Sequence, residues 1–319
     1  METEAETGQP WISGFWRRIG ALVIDTVILG IFGFILGLAL ESTFVQMGGW
    51  GRLVGFTIAL IYFGIGNSAI TGGQTPGKRF LKLRVVDSDN TSIGIGKSVI
   101  RYVVLATPFA LNGLNLPPEA MQSLLIYPLS LVLFGGMLSI IYLYVFNRTT
   151  RQSLHDLAVG SFVVNVGAER TEIGQVWWVH IAIVVLLFVL ATVAPAATTN
   201  LSQGSPFKEL LATQTALLQN PNITYATIAT NTTTFMSVRE GTSTTDLIGS
   251  DILLTDNNID DSGLARQLAT VIVKNYPEAS NMDTIQINLT YGYDIGIWSQ
   301  WMTHSYNFVP DELQSDPHP

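Results

Sequence analysis

The chain contains no cysteine. That absence excludes disulfides, thiolate metal sites, iron–sulfur clusters and cysteine nucleophiles. Charge is scarce as well. Asp, Glu, Lys and Arg make up 13% of the 319 residues, about half the roughly 25% of an average soluble domain. The charges that remain are unevenly spread. Before residue 198 stand 12 basic and 11 acidic residues; after it stand 4 basic and 13 acidic. Two domains in two solvents explain this better than one globule. The N-terminus, residues 1–10, is polar and lacks the basic start of a signal peptide. The apolar run after Arg18 also exceeds the ~7–15 residues of a signal-peptide core, so it reads as an uncleaved helix.

What is abundant is apolar sequence, at 48% of the chain. Five apolar runs can span: Phe15–Leu40, Leu53–Ile70, Val99–Leu114, Leu124–Phe146 and Val176–Ala194. The third is the weakest, because it starts near Arg101 and contains Pro108. Spans of this kind need about 18 or more apolar residues. The first run carries one charge after Arg18, the carboxylate of Asp25. Placing it in a membrane helix costs roughly 2.5–3.5 kcal/mol on insertion scales, so a partner or a task for this group is expected.

The loops orient the chain. Lys78, Arg79, Lys82, Arg84, Lys97 and Arg101 stand between the second and third runs, and Arg148, Arg151 and Arg170 follow the fourth. The loops Glu41–Arg52 and Asn112–Gln122 hold Arg52 as their one basic residue. The positive-inside rule then places the N-terminus and both basic loops in the cytoplasm. Five crossings put the acidic tail outside. Within the loop Gly72–Gly96, Phe80–Val86 alternates like a short strand, Asp87–Asn90 reads as a turn, and Thr91–Ile95 is expected to return as a second strand. Such a basic hairpin suits lipid headgroups. Val159–Val166 is a further strand candidate packing on it.

After Pro195 the character changes. A small polar linker precedes Ser205-Pro206 and Glu209, which together are helix-start signals. Phe235–Val238 and Leu247–Leu254 read as strands. Asp261-Ser262 opens an amphipathic helix with Leu264, Leu268, Val271 and Ile272 on one face. Ile285–Tyr291 and Met302–Phe308 alternate as strands do. The order implies a soluble α+β domain, an antiparallel sheet with helices on one face. Asp256, Asp260 and Asp261 lack the glycine and closing glutamate of a calcium loop. The tail aromatics Trp298, Trp301, Tyr291, Tyr293 and Tyr306 read as core or as a partner surface.

Arg18 and Asp25 are seven residues apart, two helical turns, and so share a face. They read either as a polar lining with Asp25 as an ion or proton site, or as a structural clamp. His155 and Asp156 are adjacent in sequence and do not face each other in a helix, which argues against a catalytic dyad. Asp156 is expected to meet Arg101 or an arginine of the hairpin, in a structural ion-pair role.

These residues fall into ordered motifs. They are Phe15–Asp25, Gly73-Gln74-Thr75-Pro76-Gly77-Lys78, Leu83–Asp87, Arg101, and Ser153-Leu154-His155-Asp156 through Ser161. Together they resemble the RDD family of bacterial membrane proteins over about residues 10–166. A serine stands at 161 where the family pattern leads one to expect threonine. The resemblance implies Arg18, Asp25 and Asp156 as the name-giving residues and a membrane protein suspected of transport, with cation/proton exchange attributed to some members. It says nothing about the fifth run or the tail.

The expected architecture is therefore a membrane-embedded all-α bundle of about five transmembrane helices with a small cytoplasmic β-hairpin, followed by a soluble α+β domain. The divisions are 1–14, a cytoplasmic tail; 15–170, the transmembrane domain; 175–197, an additional span; 198–204, a linker; and 205–319, an extracytoplasmic domain. The expected place is a bacterial plasma membrane. The ion- or proton-site candidates are Arg18, Asp25, Arg101 and Asp156, with Thr75, Pro76, Gly77 and Lys78 as the loop motif. Transport of a small cation or solute is the leading function. A membrane-anchored scaffold whose C-terminal domain engages a partner is the alternative. Expected partners are the bilayer, a small cation or proton, and a second copy or another membrane subunit. No enzymatic activity, cofactor, metal centre or nucleic-acid partner is expected.

Overall fold

The computed structural model describes residues 10–112, 123–202, 204–237 and 241–314. The residues 1–9 of the tail, most of the loop Asn112–Gln122, the end of the run Val99–Leu114, Gln203 in the linker and Val238 of an expected strand lie outside the described residues.

The N-terminal part is helical. Its helices are α1 (Phe15–Met47), α2 (Arg52–Gly66), α3 (Pro76–Phe80), α4 (Ile95–Leu111), α5 (Ile126–Phe146), α6 (Leu154–Val159) and α7 (Trp178–Ser202). A four-residue 3-10 turn, Gly48–Gly51, joins α1 to α2. The 33 residues of α1 span about 50 Å at 1.5 Å per residue, more than the ~30 Å hydrocarbon core of a bilayer. Leu40 leaves helical geometry and kinks its far end.

Among the described residues, three segments are long and apolar enough to cross a membrane: Phe15–Gly66 (which holds α1 and α2), Ile126–Phe146 and Trp178–Ala197. Three such segments stand where five separate runs were expected. The weak third run forms α4, which has 17 residues, contains Pro108 and buries Arg101. The most apolar windows of the first and last segments are each only 22% buried. Leu38, Ile31 and Val185 are exposed. Apolar residues all round a helix that face no protein require an apolar surrounding, which is lipid. The middle of α5 is a π-helical stretch, Leu131–Gly136.

The expected local hairpin does not form. β1 (Leu83–Val86) pairs antiparallel with β2 (Phe162–Asn165), almost 80 residues away in sequence, and Thr91–Ile95 contributes one isolated bridge, Val86 to Ser92. The cause is local. Asp87 accepts hydrogen bonds from Asp89 N, Thr91 N and Thr91 Oγ1 and closes a tight turn. The helix α4 then begins at Ile95, so no length remains for a returning strand. Leu83, Val85 and Val163 pack with Ala21 of α1 and with Ile93.

The C-terminal part is a separate β-rich unit. It contains α8 (Phe207–Leu217), β3 (Ile223–Ala226), β4 (Ala229–Ser237), β5 (Gly241–Leu254), α9 (Ser262–Asn275), β6 (Thr284–Asp294), β7 (Ser299–Phe308) and α10 (Pro310–Gln314). The sheet order is β3-β5-β6-β7, with β4 also on β5. Strands β5 and β6 run parallel, which corrects the expectation of an all-antiparallel sheet. The intervening α9 makes the crossover that a parallel pair requires. Asp261 caps α9 by accepting from Leu264 N. Ile248, Ile252, Ile285, Ile287 and Leu289 bury one sheet face against Leu268, Ala269 and Ile272 of α9.

The tip of the β6–β7 hairpin is held against α1 and α2. A Cβ on Gly37 would collide with the hydroxyl of Tyr293, and one on Gly55 with the carbonyl of Ile295. Phe44 and Val45 pack on Tyr293 and Ile295. Arg52 Nη2 lies 2.6 Å from Asp294 Oδ2.

Candidate functional site

The charges of the helical region collect where α1 begins. Arg18 and Asp25 both project from the buried face of α1, with 8% and 0% exposure. The structure does not bring them together. Two turns of helix separate them by about 10.5 Å along the axis, and each takes a different partner.

Arg18 reaches toward the β2 side. Its Nη2 donates to the carbonyl of Val163 at 3.0 Å, and its Nη1 donates to the carbonyl of Arg151. The same Nη1 lies 4.0 Å from Asp156 Oδ2. The closer partner of Asp156 is Arg101 on α4. Arg101 Nη2 is 2.8 Å from Oδ1, and Nε donates to that oxygen at 2.9 Å. Ser161 Oγ donates to it at 3.0 Å. Asp156 also completes a capping box with Ser153 at the start of α6. Burial alone would raise the Asp156 carboxyl. Arg101, with Arg18, outweighs it and holds the group below the usual carboxylate range. His155 is pushed down to about 3, chiefly by burial, so it is neutral at ordinary pH. Its Nε2 stands 3.4 Å from Asp156 Oδ2. A buried ion group of this sort is stable only while both signs are present.

Asp25 is held in the opposite manner. Tyr62 of α2 donates its phenol to Oδ1 at 2.7 Å, Thr75 donates its hydroxyl to Oδ2 at 2.6 Å, and the peptide N–H of Gly77 donates to Oδ1 at 2.8 Å. Among the described residues, no Lys, Arg or His lies within ion-pair distance of Asp25. The short helix α3 explains the geometry. Thr75 caps it by accepting from Lys78 N, and Pro76 occupies its first turn, where the missing N–H is no loss. The helix start thus aims Gly77 N at the carboxylate. A side chain at 77 would strike the Ala21 carbonyl and the Asp25 carboxyl.

Lys78 sits beside these groups, with its Nζ 5.8 Å from the Phe63 ring centre. Burial, reinforced by Arg101, lowers its ammonium to about 7, against the opposing pull of Asp25 and Asp156. Tyr62 was not among the residues singled out from sequence. A phenol inside an apolar run was the available signal. Among the described residues, no group of three or more His, Asp or Glu is arranged to hold a metal.

Residues 12–160, which run from just before α1 to the end of α6, match the model of the RDD family, the family that the motifs resemble. No curated protein matches the chain.

Proposed function

Proceeding from an RDD-family membrane domain, we propose that the chain transports a small cation, with proton exchange at Asp25. One observation carries this reading. Asp25 is a fully buried carboxylate in a spanning segment, held by three hydrogen-bond donors and, among the described residues, with no cation in ion-pair contact. Arg18, the partner its spacing offers, is engaged elsewhere. A buried carboxyl with no paired cation offers a place for a proton or a metal cation inside the membrane. Competition between the two for one carboxylate is the physical basis of exchange. Lys78, which titrates near neutrality, supplies a second charge that changes with pH beside the same carboxylate. The hydrogen bonds from Thr75 and Gly77 make the loop-side wall a gate that must swing to admit the ion. This reading assigns no enzymatic role.

The test is flux in liposomes. Wild-type protein should dissipate an imposed pH gradient when Na⁺ or K⁺ is added, and Asp25→Asn protein that still inserts should not. Equal flux in both would sink the proposal.

A second reading rests on the hairpin contact between the C-terminal domain and α1–α2. In it, the helices anchor a domain that engages another envelope component. Loss of function on removing residues 205–319, with no flux from the intact chain, would favour it.

A further inference from the structure

A separate cleft of about 520 Å³ opens beside the first turn of α1, lined by Phe15, Trp16, Arg17, Tyr144, Arg148 and Arg151. Among the described residues, its lining contains three arginines and no carboxylate. Arg17 is braced from below: its Nη1 donates to Asn165 Oδ1 at 2.7 Å, and its Nη2 donates to the carbonyl of Leu81. Among the described residues, no carboxylate lies within ion-pair distance of Arg148 or Arg151. Gly14 caps α1 with no side chain, so the first turn of the helix opens onto the same cleft. That arrangement favours an anion.

The position in the molecule says which anion. The cleft lies where the apolar run of α1 starts, so it faces the headgroup layer of one leaflet. Trp16 is 79% exposed there. Phe15 packs on both Trp16 and Tyr144, with ring centres 5.1 Å apart in each case. Exposed tryptophan beside tyrosine at a helix end is the pattern of a bilayer interface. Arginines in that layer attract anionic lipids.

We propose that this cleft binds the phosphodiester headgroup of an anionic phospholipid, with Arg148 and Arg151 contacting the phosphate, Arg17 fixing the floor, and Trp16 lying along the glycerol and upper acyl chain. The site is distinct from the Asp25 cluster and does not depend on its role.

The test titrates detergent-solubilised full-length protein with short-chain phosphatidylglycerol, phosphatidylcholine and inorganic phosphate, reading bound lipid by native mass spectrometry and affinity by calorimetry. Phosphatidylglycerol should bind at least tenfold more tightly than phosphatidylcholine. A loss of roughly fivefold is expected for Arg148→Gln, and roughly 25-fold for Arg148→Gln with Arg151→Gln, from about one headgroup-layer charge interaction per arginine. Arg148 is exposed, so the single variant remains informative if the double variant fails to fold. Equal affinity for the two lipids, or unchanged phosphatidylglycerol binding in Arg148→Gln, would overturn the proposal. Inorganic phosphate binding as tightly as phosphatidylglycerol would also overturn it, by marking a free-anion site.

Discussion

Two buried carboxylates in one helical region are held by opposite chemistry. At the α4–α6 corner, Asp156 is surrounded by charge, with Arg101 at 2.8 Å and Arg18 at 4.0 Å. At the α1–α2–α3 corner, Asp25 meets a phenol, a hydroxyl and a peptide N–H. The first corner is a closed charge network in which every member depends on the others. The second holds its carboxyl through hydrogen bonds, with no paired cation among the described residues. On the proposed reading the two do different work: Asp156 organises the fold, and Asp25 exchanges what it binds.

The largest effect should come from the closed corner. Asp156→Asn leaves two buried guanidinium groups facing no carboxylate. Breaking one side of a buried ion network costs about 3–5 kcal/mol. The variant should be recovered in low yield or unfold far below wild type in a thermal scan in detergent. A wild-type melting temperature would erase the distinction between the two corners. Tyr62→Phe removes one donor from Asp25. A hydrogen bond to a charged group contributes about 1.5–3 kcal/mol, so this variant should insert normally and melt measurably lower.

Acid should act on the closed corner as well. The folded His155 is held near 3 against an ordinary value of 6.5. Between those values the unfolded chain binds a proton that the folded chain refuses. Stability must therefore fall as pH drops through that window. Asp156, held below the usual carboxylate range, loses its contribution at the acid end of the same window. The sign is the same for both groups. His155→Gln should flatten the fall between pH 6.5 and about 4, read as melting temperature against pH. A fall of unchanged slope would place its origin elsewhere.

The smallest effect should come from Arg52→Ala at the contact with the C-terminal domain. That ion pair is about a quarter exposed on each side, where such pairs contribute about 0–1 kcal/mol. Melting should barely move. The hairpin tip should become more open to proteolysis, because the packing of Tyr293 and Ile295 on Phe44 then holds the contact with less help.

Much of this was legible in the sequence, and the exceptions share a cause. Helices occupy each apolar run because a stretch of that length must satisfy its backbone internally. The cap at Asp261 and the alternation of Ile285, Ile287 and Leu289 marked the C-terminal elements through local rules. The motif around Thr75-Pro76-Gly77 stood out, but its acceptor did not. Arg18 and Asp25 looked like partners because helical periodicity reports a shared face, not a shared contact. Two turns hold them too far apart, and their true neighbours come from residues 37 to 145 positions away. The β1–β2 pair and the hairpin docked on Gly37 and Gly55 are long-range in the same way. Periodicity fixes which side of an element is buried; only the assembled chain fixes what lies opposite.

The central claim is that Asp25, and not Asp156, exchanges a proton for a cation. Infrared difference spectroscopy of the reconstituted full-length protein tests it directly, by recording the carboxyl stretch with and without added Na⁺ or K⁺. The account predicts that the cation changes the carboxyl bands in wild type and that Asp25→Asn lacks this change. A cation-dependent band that persists unaltered in Asp25→Asn, or no cation-dependent change in wild type, would contradict it.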